Sequence, residues 1–289
     1  MYQGNNKLFN HLQGNYPMKL TQILLFIVSI SILSGCIVIA KPSHAKYHSQ
    51  QTLKIAAHKL KALDIEAGAG ALIIEGDETI KEIRVVADIY SKNGDIDNVE
   101  LNLTETGKSA YLVAKIDSSG FWHGESPRID INIIMPSHLM LKIDDGSGAI
   151  NINNIDAKVT VKDGSGELTI KNVRNDLKID DGSGGIFISE VIGNIKINDG
   201  SGEISLNDLD GNLDIDDGSG SIFVNGVSGD VMIKDGSGEL TVRSVNGFVT
   251  IDDGSGDIDI EQAGGLKIIN SGSGGMRVQK VKGSFEIDS

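Results

Sequence analysis

Eight serines recur every 18 residues from Ser147 to Ser273, each flanked by two glycines, and seven of them stand two residues after an aspartate. A column of serines can supply nucleophiles, but nucleophilic catalysis needs a base within hydrogen-bond reach. No histidine follows His138, so these serines are read as corner residues that bond backbone. The aspartates Asp144/Asp145, Asp180/Asp181, Asp216/Asp217 and Asp252/Asp253 are the next candidates, because Ca²⁺ takes about six to eight oxygens. Calcium-binding nonapeptide repeats place Gly-Gly-x-Gly-x-Asp in both halves of each turn. Here one corner per turn is acidic, and only Asp257 follows Gly-x-Gly. The expectation is solvated corner aspartates that discourage aggregation, with no bound metal and a fold indifferent to calcium. His58, His123 and His138 show no metal-ligand spacing. No catalytic residue and no cofactor is expected.

Two aromatic groups and one thiol remain. The stretch SSGFWHGES holds Phe121, Trp122 and His123, including the only tryptophan of the chain. Aromatics on a loop serve equally as binding anchors or as a plug over an open coil. Phe187 and Phe223 fall at one outward position two turns apart, about 9.6 Å, and mark a small contact patch. Cys36 is the only cysteine, and it completes Leu33-Ser34-Gly35-Cys36 after the apolar run Ile23 to Ala40. That run reads as an export signal starting from Met18, with residues 1–17 as an extension outside the native protein and 18–45 as the signal region. Cleavage before a lipid-bearing Cys36 competes with ordinary processing after Ser43-His44-Ala45, and with a retained membrane anchor. In each case the folded part lies outside the cytoplasm and needs no disulfide.

The residues that carry the period also dictate the elements. Numbering each repeat from its corner Asp, positions 6 and 8 are apolar in every turn, as in Ile150/Ile152 and Ile204/Leu206. Position 11 is likewise apolar, and positions 15 and 17 restore the alternation. Apolar residues two apart with polar ones between have the period of a strand with one buried face. Glycines supply the corners. Eighteen residues at about 3.3 Å each make a flattened loop of two strands, and loops stack at about 4.8 Å. The fold class is therefore all-β: a parallel β-solenoid with 18-residue turns and two strands per turn. Eight turns span 145–289, preceded by a β-rich N-terminal cap over 46–144. An insertion would throw whole columns out of register, which explains the unbroken spacing. In "EQAGGLKIIN" the pattern arrives one residue early and Ile269 restores the phase, so that a β-bulge near Ile268-Ile269 keeps Lys267 outside. Position 18 and the glutamates at position 5 (Glu167, Glu203, Glu239) alternate between turns, so the duplicated unit is 36 residues. In the cap, ALDIEAGAGALIIEG is a degenerate cousin of the repeat, and a hairpin turns at Thr106-Gly107-Lys108.

The Gly-Ser-Gly-x-Ile-x-Ile corners, preceded by a strand ending in Met135-Pro136, resemble the bacterial adhesin-like families. These include head-domain auto-transporter-adhesin-like proteins and exported domains of unknown function grouped with them. The resemblance covers about residues 53–289 and implies an exported or lipid-anchored envelope protein with no catalytic residue to carry over.

The net charge of −14 disfavours nucleic acid and anionic membrane surfaces as partners, leaving the membrane only through a signal or lipid anchor. The expected function is a non-enzymatic module, binding or structural, that presents a rigid acidic surface to an envelope or cell-surface ligand, protein or polysaccharide. Two alternatives are a polysaccharide-binding or polysaccharide-cleaving β-helix, and an accessory to envelope-stress signalling. The expected location is the outer membrane or cell envelope as a lipoprotein, otherwise the periplasm or medium. The chain is expected to be a monomer, with Arg277, Lys280 and Lys282 guarding the last strand edge.

Overall fold

The computed structural model describes residues 38–39, 47–91, 98–116 and 127–288, and every regular element among them is a β-strand. The repeat closes as its pattern requires. Each turn contributes one strand to each of two facing sheets, and successive turns pair in parallel, in constant register up to Ile251. Ile150 pairs with Leu168, Leu168 with Ile186 and Ile186 with Ile204 on the first sheet. Val159, Leu177, Ile195 and Leu213 do so on the second. The stack of about eight coils is a β-solenoid.

Between the sheets lie the aliphatic columns at positions 6, 8, 11, 15 and 17, buried in nearly every turn. Each such side chain contributes about 1.5–3 kcal/mol on leaving water. Position 11 follows position 8 by three residues, so simple alternation would turn it outward. The backbone resolves this at position 10. Asn154, Asn172, Glu190, Asp208, Ser244, Gln262 and Lys280 all have φ between 54° and 66°, and Gly226 has φ 77°. One left-handed residue per turn flips the chain so that Ile155, Val173, Val191 and their counterparts face inward.

At the Gly-Ser-Gly corner, the second glycine takes φ from 136° to 153° from Gly148 to Gly256. A Cβ on Gly202 would lie 1.5 Å from the carbonyl oxygen of Gly184 in the turn beneath. The corners stack backbone on backbone.

The stack continues below residue 145, out of chain order. Ala62–Ala69 pairs in parallel with Met140–Ser147, and Leu72–Gly76 with Ile150–Ile155. The degenerate cousin ALDIEAGAGALIIEG is thus a full coil of the stack, in register with the one above it. Beyond this coil one more strand on each sheet pairs in parallel, Arg128–Met135 with Leu72–Gly76 and Ser109–Ile116 with Ala62–Ala69, and the pairing then turns antiparallel. Arg128–Met135, Glu82–Ser91 and Tyr47–Ala56 extend the first sheet. The hairpin Val99–Thr106/Ser109–Ile116 extends the second, closing with Thr106 opposite Ser109.

The out-of-phase turn carries its bulge where the sequence places it, but Ile269 does not restore the phase. Leu266 and Ile268 are buried, and the register shifts between Ile251/Ile268 and Asp252/Asn270. Ile269 is therefore the extra, exposed residue, and the phase returns at Asn270 rather than at Ile269 itself. Lys267 stays outside and pairs with Glu286 at 3.3 Å and Asp288 at 3.0 Å.

Candidate functional site

The outer face of the second sheet carries a trough between two outward columns two residues apart on the same strands. One wall is position 14: Lys158, Asp176, Asn194, Asn212, Asp230 and Phe248. The other is position 16: Lys178, Lys196, Asp214, Met232 and Thr250. The cavity measures about 600 Å³, within the range of small-ligand sites. Its floor is the backbone over Leu177, Ile195, Leu213 and Val231, whose side chains fill the core.

The first wall is fixed by a ladder. The Oδ1 of Asp176 accepts from the Asn194 N–H at 3.0 Å, Asn194 from Asn212 at 3.1 Å, Asn212 from Asp230 at 2.9 Å and Asp230 from Phe248 at 2.7 Å. Each side chain thereby spends one oxygen on the backbone of the next turn. The amide N–H groups of Asn212 and the second oxygens of Asp176 and Asp230 make no hydrogen bond to other described residues, and all three residues line the trough.

On the opposite wall Lys196 bonds Asp214. Lys178 stands between Thr160 and Lys196 in the register and has no carboxylate within ion-pair distance among the described residues. Like charges side by side on adjacent strands repel, so Lys178 is a cation in want of an anion. Met232 at the far end is 51 % exposed. The trough thus runs from a cationic end through an amide-rich middle to an apolar end.

The other sequence-derived candidates are dispersed. Phe187 and Phe223 lie on the opposite, first sheet with Ser205 between them in register. Phe187 covers Gly185, whose added Cβ would meet the ring at 2.6 Å. The Phe223 ring faces the Arg243 guanidinium at 5.9 Å. Both are half-buried by their neighbours. Cys36, Phe121, Trp122 and His123 lie outside the described residues. His58 and His138 are exposed and belong to no metal-binding group. Among the described residues no group of three or more His, Cys, Asp or Glu side chains is placed to hold a metal ion. In the serine column the backbone makes the bonds: the carbonyls of Ser165, Ser183 and Ser201 each accept from a glycine N–H of the neighbouring turn.

The reading of the corner aspartates as solvated is wrong for half of each pair. Asp144, Asp180, Asp216 and Asp252 are outside, and Lys162 and Lys234 approach Asp144 and Asp216 at 3.8 and 3.7 Å. Asp145, Asp163, Asp181, Asp199, Asp217, Asp235 and Asp253 are buried. The cause is alternation: with positions 15 and 17 inside, the next inward residue is position 1 of the following repeat. Burial pushes the Asp145 carboxyl up to about 7, and those of Asp163, Asp199, Asp217 and Asp235 up to about 6, with neighbouring aspartates adding to the rise. Asp181 and Asp253 are raised for the same first reason. Two ionised carboxylates about 4.8 Å apart repel by about 3.5 kcal/mol at an effective dielectric of about 20.

One cluster in the cap left no mark on the sequence. His48 Nε2 and Asp88 Oδ1 are 2.8 Å apart, Gln50 donates to the same oxygen at 2.9 Å, and the His48 ring stacks on Tyr90 at 4.8 Å. The Arg128 guanidinium covers Tyr90 at 4.1 Å. These residues meet only through antiparallel pairing of strands about 40 residues apart in sequence, which no local pattern announces.

No family model and no curated protein matches the sequence. Solved structures do. A protein named "putative adhesin" from Parabacteroides distasonis is 13 % identical over 83 % of this chain and 97 % of its own, with a TM-score of 0.39. A "putative cell adhesion protein" from Clostridium sporogenes is 13 % identical over 82 % of this chain and 97 % of its own, at a TM-score of 0.28. A "putative adhesin" from Parabacteroides merdae is 14 % identical over 81 % and 96 %, at 0.29.

Proposed function

We propose that this chain is an exported, non-enzymatic, adhesin-like binding module, and that the trough on its second sheet holds a stretch of cell-surface polysaccharide carrying an acidic group. The observation that carries the reading is Lys178, a cation with no ion-pair partner among the described residues, beside a rigid amide-lined wall. A saccharide offers hydroxyls to Asn212 and to the free oxygens of Asp176 and Asp230, an apolar ring face to Met232, and a carboxylate to Lys178. The carboxylates of the trough are already engaged, Asp176 and Asp230 with backbone N–H groups and Asp214 with Lys196. That favours holding over cleaving. Lipid on Cys36 would tether the module to the envelope.

Titration calorimetry with an oligogalacturonate, beside a neutral oligosaccharide of equal length, tests the proposal. Binding of the acidic oligomer should weaken at least tenfold in Lys178→Glu and be unchanged in Lys282→Glu. Equal affinity in wild type and Lys178→Glu, or no binding at all, overturns it. New reducing ends after long incubation would favour the polysaccharide-cleaving alternative.

A further inference from the structure

The seven buried aspartates form one continuous column. Asp145 pairs in register with Asp163, and so on by 18s to Asp253. At its lower end the register places Ala67 opposite Asp145. At the upper end Ser271 takes the position by period. The column is thus bounded at both ends by residues that carry no charge.

Within it, the carboxyls differ by alternate turns. In Asp163, Asp199 and Asp235 the Oδ1 accepts the N–H of the corner serine two residues on, at 3.2, 3.2 and 3.0 Å. In Asp181, Asp217 and Asp253 both oxygens are buried with no hydrogen-bond partner. The outer column follows the same beat. The first three come after Lys162, Asn198 and Lys234, the second three after Asp180, Asp216 and Asp252. Asp145, after Asp144, has one orphaned oxygen.

The surroundings offer these oxygens no cation. Inward they meet the aliphatic columns at positions 6 and 17. Along the column they meet each other. Outward the nearest charges are Asp144, Asp180 and Asp252, while Lys162 and Lys234 are turned to the outer aspartates. Across the corner stand the exposed Glu167, Glu203, Glu239 and Asp257. A buried carboxylate with no cation and no donor at full hydrogen-bond distance takes up a proton instead.

We propose that the column is a proton-sharing ladder. Asp181, Asp217 and Asp253 are held as carboxylic acids whose O–H groups donate to the ionised Asp163, Asp199 and Asp235 beside them. Backbone N–H groups bond the first set at full hydrogen-bond distance and act on the second only from further off, and an outer aspartate precedes each member of the second, so the proton rests there. Parallel spacing of about 4.8 Å between backbones brings neighbouring carboxyls within reach of a short O–H···O⁻ bond. Protons come off such a row in coupled steps that belong to the row.

The folded carboxyls hold protons that the unfolded chain releases near 3.8, so folding takes up protons across the window from about 4 to about 7. The stabilisation from this column is fully present below about pH 4 and is lost as pH rises through 6 to 7. The rod is thereby tightest in acid surroundings and loosens toward neutral and alkaline ones.

Aspartate selectively labelled with ¹³C at the carboxyl, followed by NMR against pH in the whole protein, tests this directly. Asp181, Asp217 and Asp253 should titrate at higher pH than Asp163, Asp199 and Asp235. All seven titrating together near pH 4, or the reverse order, overturns the assignment. Denaturant unfolding gives an independent reading. In wild type the unfolding constant should rise more than tenfold per pH unit between about pH 4 and 6, because more than one proton is released per molecule. The variant Asp181→Asn/Asp217→Asn/Asp253→Asn, in which amides stand where acid O–H groups stood, should give a flatter profile. A flat wild-type profile overturns the ladder. So does a melting temperature at pH 7 that rises by many degrees with Ca²⁺, which would place a cation in the column instead.

Discussion

Replacing Gly202 by alanine puts a methyl group into the backbone of the turn beneath. The new Cβ would stand 1.5 Å from the Gly184 carbonyl oxygen, where ordinary contact begins near 3.4 Å, and φ at this residue is 150°. Relief requires a local shift of about 2 Å, close to half the spacing of about 4.8 Å between coils. A shift of that size breaks two corner bonds, Gly202 N–H to Ser219 and Gly184 N–H to Ser201, both 3.0 Å. Each contributes about 1 kcal/mol net, and the backbone conformation adds about 1–3 kcal/mol for a residue with a side chain. The sum is a destabilisation of about 3–5 kcal/mol. Urea unfolding followed by circular dichroism measures it, with Gly107→Ala as the control. Gly107 sits at the hairpin tip with φ 65° and nothing within 4 Å of an added Cβ, so only backbone strain of about 1 kcal/mol is expected there. Because each coil contacts only its neighbours, Gly202→Ala should also split the transition into two steps. A single transition shifted by no more than that of Gly107→Ala would refute stacked corners as the constraint on this position.

Two further outcomes are expected. The variant Arg277→Thr/Lys280→Thr/Lys282→Thr should self-associate by light scattering where wild type stays monomeric, since among the described residues Met276–Val281 and Phe285–Ile287 pair on one side only and Met276 and Phe285 are exposed; equal monomer populations would remove these charges from that role. Mass spectrometry of the mature N-terminus should find an acylated Cys36, and an unmodified terminus at Lys46 would exclude the anchor.

The columns at positions 6, 8, 11, 15 and 17 were legible because burial in a stacked coil depends on little beyond period and polarity. The bulge at Ile269 was legible for the same reason, as Lys267 cannot take an inward position. Position 10 was not. Asn, Glu, Asp, Ser, Gln and Lys share no chemistry, and what they share is a backbone angle imposed by the bend on which position 11 depends. The buried aspartates were misjudged because their charge argued for solvent, while the alternation running through Ile179 and Asp181 argued for the core. In the trough, alternation about the inward positions 15 and 17 leaves positions 14 and 16 outside, but the meeting of Asn212 and Lys178 across those two columns depends on how deep the floor lies between them. The His48–Asp88–Tyr90 cluster was beyond reach, because it exists only through antiparallel pairing that no repeat encodes.

The coil formed by Ala62–Gly76 has a kinetic consequence. Seating Leu63 on Leu141 closes a loop of 141 − 63 = 78 residues, whereas each later coil closes one of 18. Loop-closure entropy makes the longer closure costlier by about 1.3 kcal/mol. Contacts between consecutive repeats should therefore form first and spread along the chain. The antiparallel cap docks onto a rod already zipped, as a late and separable event with its own rate.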